Sequence, residues 1–113
     1  MIDRLEFPIA KAQYLLSYSG KEGKGGDKSR FWQNVMGYDS AEAIRDVILQ
    51  RVAPQDLIFQ RQDVYGDRYT AQILIADHHG QLREILTAWI VLKDENIARF
   101  ITAVPQRTRR QSI

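Results

Sequence analysis

Residues 82–105, LREILTAWIVLKDENIARFITAVP, decide the fold class. Two apolar runs flank the polar segment Lys93–Asn96. Both are rich in β-branched and aromatic residues, and neither shows a helical stripe. They read as two antiparallel strands joined by a tight turn. Each run carries a Thr-Ala pair, and Thr87 and Thr102 place a hydroxyl inside otherwise apolar sequence. The position of the turn predicts that Thr87 and Thr102 face each other across neighbouring strands. Arg99 lies an odd number of residues from Thr102, so it joins that side only if the last strand is bulged. In the first run, Leu86, Ala88, Ile90 and Leu92 share one face, predicted to be the helix-facing core. Arg83, Ile85, Thr87, Trp89 and Val91 share the other, whose mixed chemistry suits a ligand or, equally, a half-exposed second face.

Working upstream, RYTAQILIA sets Tyr69, Ala71, Ile73 and Ile75 on one face of a further strand, and LIFQRQDV reads as another. Tyr65-Gly66-Asp67 and DHHGQ mark turns, with Gly80 supplying the special dihedral. Before Pro54 the period is helical. A first helix is predicted from about Pro8 to Tyr18, with Ile9, Ala12, Leu15 and Leu16 on one face. A short second helix carries Phe31, Trp32, Val35 and Met36, starts at a cap on Asp27 and stops at Gly37. A third starts at Asp39, with Glu42 three residues on, and buries Ala41, Ile44, Val47, Ile48 and Val52. The expected class is α+β, with N-terminal helices packed on a four-stranded antiparallel sheet.

At 113 residues the chain has room for one domain. It divides into a helical region over residues 1–54, a sheet over 56–105 and a mobile basic tail over 106–113. There is no cysteine, which excludes disulfides, thiolate metal sites and a thiol nucleophile. No apolar run approaches the roughly 20 residues that span a bilayer, and MIDRLEFP lacks the features of a signal peptide, so no membrane association and a cytoplasmic location are expected.

The formal net charge of +2 is too small for a nucleic-acid coat. The positive charge is concentrated, however. Lys21, Lys24, Lys28 and Arg30 crowd a glycine-rich loop and the helix start after it, and Arg107, Arg109 and Arg110 crowd the tail. Such clusters attract phosphates, or are simply solvated surface. SGKEGKGGDKS lacks the spacing of a nucleotide-binding loop and follows a helix instead of a strand, which excludes nucleotide hydrolysis of that type. His78 and His79 are neighbours in a turn; adjacent histidines on a strand point to opposite faces and do not normally chelate one ion, so no metal site and no cofactor are expected.

The Tyr14–Leu16 helix, the glycine-lysine loop leading to Phe31-Trp32, Gly37-Tyr38, Tyr65-Gly66, Tyr69, Gly80, Thr87-Ala88-Trp89 and the closing Thr102-Ala103-Val104-Pro105 resemble a family of small bacterial proteins. That family also occurs as the last domain of large polymorphic toxins. It is similar in turn to the barnase–EndoU–colicin–RelE group of ribonucleases. The resemblance implies helices followed by an antiparallel sheet, an active site on the open sheet face, and RNA cleavage by the 2′-hydroxyl without a metal. Two features depart from it: the first loop has no histidine, and Val104 stands where an aromatic is frequent.

Cleavage of that kind requires a proton acceptor, a proton donor and cations around the phosphorane. The candidates are Lys28, Thr87, Arg99 and Thr102 for catalysis, and Lys24, Arg30, Arg83 and Trp89 for RNA binding. Each also has a plain structural alternative: a solvated cation, a satisfied strand hydroxyl or a core indole. Two functions therefore stay open. One is a toxin-like domain that binds, and beyond binding cleaves, RNA. The other is a non-catalytic domain that docks a cognate antitoxin, another partner protein or a second copy of itself.

Overall fold

A computed structural model describes residues 2–17 and 28–106, without the side chain of Lys28. Lys21, Lys24, the Asp27 cap and the basic tail from Arg107 lie outside the described residues. The chain is α+β, but the sheet has five strands where the sequence predicts four. The strands are β1 (Arg4–Glu6), β2 (Ile58–Gln62), β3 (Gly66–Ala76), β4 (Leu82–Leu92) and β5 (Ile97–Pro105), in the order β1-β5-β4-β3-β2. Four of them form the expected antiparallel meander. The fifth, β1, runs parallel to β5 and pairs Arg4, Leu5 and Glu6 with Ile97, Ala98 and Arg99. Three residues are too few to show a period, which hides this strand from pattern reading. Gly66 opens β3 at φ +154, where an added Cβ would collide with the Val91 carbonyl of β4.

The helices are α1 (Ile9–Ser17), α2 (Lys28–Arg30) running into a π-type turn (Phe31–Val35), and α3 (Ala41–Arg51). The cap of α3 is Ser40, not Asp39: the Ser40 hydroxyl accepts from the Ala43 amide at 3.0 Å. Gly37 takes the left-handed conformation expected of it, with φ +82. The helical stripes bury Ala12, Leu15, Ala41, Ile44 and Ile48 as their spacing requires.

The face of β4 that packs in the core is the opposite of the one predicted. Ile85, Thr87, Trp89 and Val91 are buried, with Ala71, Ile73 and Ile75 of β3 and Ala98, Phe100 and Ala103 of β5. Leu86, Ala88, Ile90 and Leu92 stand outside that cluster, half-buried on the other face. Thr87 is the reason. Its hydroxyl donates to the Ala71 carbonyl and accepts from the Trp89 indole N–H, both at 2.8 Å, so a polar atom and an indole are accommodated together. Around them Phe7 stacks on Phe100 with centroids 3.8 Å apart, and Trp89 meets Phe100 edge-on at 5.3 Å.

The β4–β5 register also differs from the prediction. Val91 faces Ala98, Ile90 faces Arg99 and Trp89 faces Phe100, as the turn position requires. A bulge then intervenes, and beyond it Ala88 faces Thr102 and Thr87 faces Ala103. Ile101 is the extra residue. The bulge puts Arg99 and Thr102 on one face, and leaves Thr87 on the other.

Asp77 organises the β3–β4 turn. Its carboxylate accepts from the His79 and Gln81 amides at 2.9 Å each and pairs with Arg83 Nε at 2.9 Å. Burial disfavours its charge, but the Gln81 amide, the Arg83 guanidinium and the His79 amide outweigh burial and hold the carboxyl down to about 2.

Two outcomes are expected. Thr87→Val strands the Trp89 indole N–H and should lower the free energy of unfolding in denaturant by about 1–3 kcal/mol; an unchanged midpoint would show that the network contributes nothing. For Asp77, the depressed folded value means that its stabilisation is complete above the unfolded value of about 4 and is lost as pH falls toward the folded value. Asp77→Asn should be less stable at neutral pH and should show a shallower loss of stability across that acidic window. Parallel acid-unfolding curves for the two proteins would refute this role.

Candidate functional site

The residues singled out in the sequence do not converge. Thr87 and Trp89 are fully buried in the core. Arg83 is held by Asp77 at the far end of β4. Arg99 lies between two carboxylates, bonded to Glu6 on β1 and to Glu95 at 3.2 Å, so it ties β1 to β5. Arg30 ends α2 with an exposed side chain. Lys28 opens that helix, and Lys24 lies outside the described residues. His78 and His79 sit in the β3–β4 turn with their rings 4.0 Å apart. Among the described residues, no group of three or more metal-ligating side chains occurs.

Thr102 is different. Its hydroxyl is enclosed and has no hydrogen-bond partner among the described residues. An enclosed hydroxyl left without a partner costs roughly 1–3 kcal/mol. The Trp32 indole N–H shares this condition, within the core.

Thr102 lines a groove of about 600 Å³ with Pro8, Ala10, Lys11, Tyr14 and Ile101. Its origin is local. β1 pairs with β5 only as far as Arg99, and the chain then turns away through Phe7 and Pro8 into α1. Beyond Arg99 the outer edge of β5 has no strand beside it among the described residues, and the first turns of α1 form the opposite wall. The bulge brings Ile101 and Thr102 to this wall together.

Ala12 and Leu15 commit one side of α1 to the core, which leaves Lys11 and Tyr14, three residues apart, on the exposed side. The groove therefore combines an ammonium, a phenol and a hydroxyl on largely apolar walls. Lys11 and Tyr14 were not among the sequence candidates. The available signal was their position off the buried stripe of the first helix, which alone does not distinguish a site from ordinary surface.

No helix among the described residues is long and apolar enough to cross a membrane. No curated protein matches the chain. Among solved structures, the chain is similar to one described as a contact-dependent growth inhibition toxin–immunity protein complex from Klebsiella pneumoniae 342. The TM-score is 0.60, the identity 17%, and the match covers 90% of this chain and 93% of that one. At that identity the likeness is one of fold. The family described as a domain of unknown function, DUF6883, matches residues 3–107, and the chain belongs to that family.

Proposed function

We propose that this domain is a toxin-type module that binds RNA in the groove between α1 and β5 and cleaves it without a metal. The observation that carries the reading is the enclosed Thr102 hydroxyl, without a partner among the described residues, in a groove shared with Lys11 and Tyr14. The likeness of fold to a chain from a toxin–immunity complex supports it. In this reading the 2′-hydroxyl attacks the adjacent phosphorus and the 5′-oxygen leaves with a proton. The products are a 2′,3′-cyclic phosphate and a 5′-hydroxyl, and no co-reactant is consumed. Thr102 donates to a non-bridging phosphate oxygen, Lys11 opposes the charge that grows on the phosphorane, and the Tyr14 phenol gives its proton to the leaving 5′-oxygen, while water takes the 2′-hydroxyl proton and returns one to the phenolate. Lys24, Lys28 and Arg30 add attraction to the phosphates. Thr87, Arg83, Arg99 and Trp89 act through the fold: they hold the core, the turn and the β1–β5 seam.

A second reading, a non-catalytic domain that docks a protein, is favoured by a separate observation. Leu86, Ala88, Ile90 and Leu92 form an apolar stripe outside the core cluster.

The deciding experiment is incubation with RNA in excess chelator. Wild type should yield cyclic-phosphate ends. Thr102→Val should fold at least as stably and lose roughly 10²-fold or more in rate, as expected for loss of a transition-state donor. Lys11→Ala should reduce the salt dependence of RNA binding by about one phosphate contact's worth of slope. A well-folded wild type that neither binds nor cuts RNA overturns the proposal in favour of the docking reading.

A further inference from the structure

The two edges of the sheet are finished differently. One is closed by β1 and flanked by α1. The other is β2, whose five residues, Ile58–Gln62, are all exposed. Its outer side has no strand beside it among the described residues. Exposed edges are usually kept short or protected by several charges, by proline, by a covering element or by a bulge, of which β2 has only its bulge and its modest length. IFQRQ has no proline and a single charge, Arg61. Large exposed apolar side chains also gather at this edge: Ile58 at 63%, Phe59 at 53%, Val64 at 76% and Tyr65 at 66% exposure. A row of unpaired backbone donors and acceptors with apolar side chains beside it fits an added β-strand.

The bulge in β2 identifies which strand. Phe59 pairs with Tyr69 and Arg61 with Arg68, so Gln60 is the extra residue. Phe59 lies on the helix-covered face, edge-on to Tyr69 at 5.7 Å, and Gln62 lies there too, bonded to Asp67 at 2.8 Å. Gln60 and Arg61 lie on the other face, with Gln60 bonded to the Thr70 hydroxyl at 2.9 Å. The facing order from Phe59 to Gln62 therefore reads the same in both directions. An antiparallel copy related by a two-fold axis would place Phe59 beside Gln62 of the second copy, and Gln60 beside Arg61 of the second copy. Each pair would share one face, and no like charges would stand opposite each other.

We infer that β2 is a dimerisation edge, where two copies of this chain pair antiparallel about the Gln60–Arg61 step to form one continuous sheet. The test is sedimentation velocity over a concentration series, with two single substitutions at an exposed position. Wild type should pass from monomer to dimer as concentration rises. Gln60→Glu sets a carboxylate against each Arg61 and should tighten the dimer several-fold, and Gln60→Arg sets like charges together and should weaken it several-fold, from two cross-strand pairs worth roughly 0.2–1 kcal/mol each. Circular dichroism of the dilute monomers checks that both variants fold. A chain that stays monomeric throughout, or a dimer indifferent to both substitutions, overturns the inference. The groove at α1 and β5 is on the opposite edge, so RNA cleavage and dimerisation succeed or fail independently.

Discussion

One extra residue in β5, Ile101, allows Phe100 and Ala103 to lie on the same face of the sheet. Were Ile101 held in the regular ladder instead of bulged, alternation would send Ala103 to the open face. With it, Phe100 stacks on Phe7 and meets Trp89 edge-on, and Ala103 closes the core beneath the helical layer. The same bulge keeps Thr102 out of the core and on the face that carries Arg99. Core packing and the candidate groove are thus two results of a single irregularity in the ladder, which is why a bulge beside a site is better read as a device than as a defect.

The seam between β1 and β5 depends on more than its short parallel ladder. Arg99 joins Glu6 and Glu95, while the Asp3 amide donates to the Asn96 carbonyl at 2.8 Å. Arg99 and both carboxylates are about one-third exposed, so each pair contributes little alone, on the order of 0–1 kcal/mol. The stacked Phe7 and Phe100 rings bury apolar area at the same junction, and that is the stronger tie. The ion pairs set register and direction. They hold β1 where Phe7 can enter the core and Pro8 can begin α1, and so they position the wall of the groove.

Much of the fold is legible in the residues. The change of period at Pro54, the stop at Gly37, the turn around Gly80 and the inward face of β3 all follow from spacing and from the glycines. The face of β4 does not. Both of its faces are apolar enough to be a core, and Thr87 tips a pattern-based choice toward the wrong one, because its internal bonds to Ala71 and Trp89 depend on the folded sheet and leave no local trace. The bulge at Ile101 is equally silent, and the predicted pairing of Thr87 with Thr102 fails on that one residue. The candidate site suffers most. Arg99 and Arg83 look free in sequence, but their carboxylate partners come from β1, from the β4–β5 turn and from the β3–β4 turn.

The two threonines sit in different environments. Thr87 is polar where the core makes use of it, with both partners inside the fold. Thr102 occupies a strand position where valine would fill the same space and leave no hydroxyl unbonded. A sheet selected for stability alone would therefore lose nothing, and would gain, by valine there. The proposed phosphate-binding role rests on the Thr102 hydroxyl, enclosed beside Lys11 and Tyr14 and without a partner among the described residues. In the proposed reading, a phosphodiester supplies both the negative charge and the acceptor oxygens that an ammonium, a phenol and a hydroxyl recognise together.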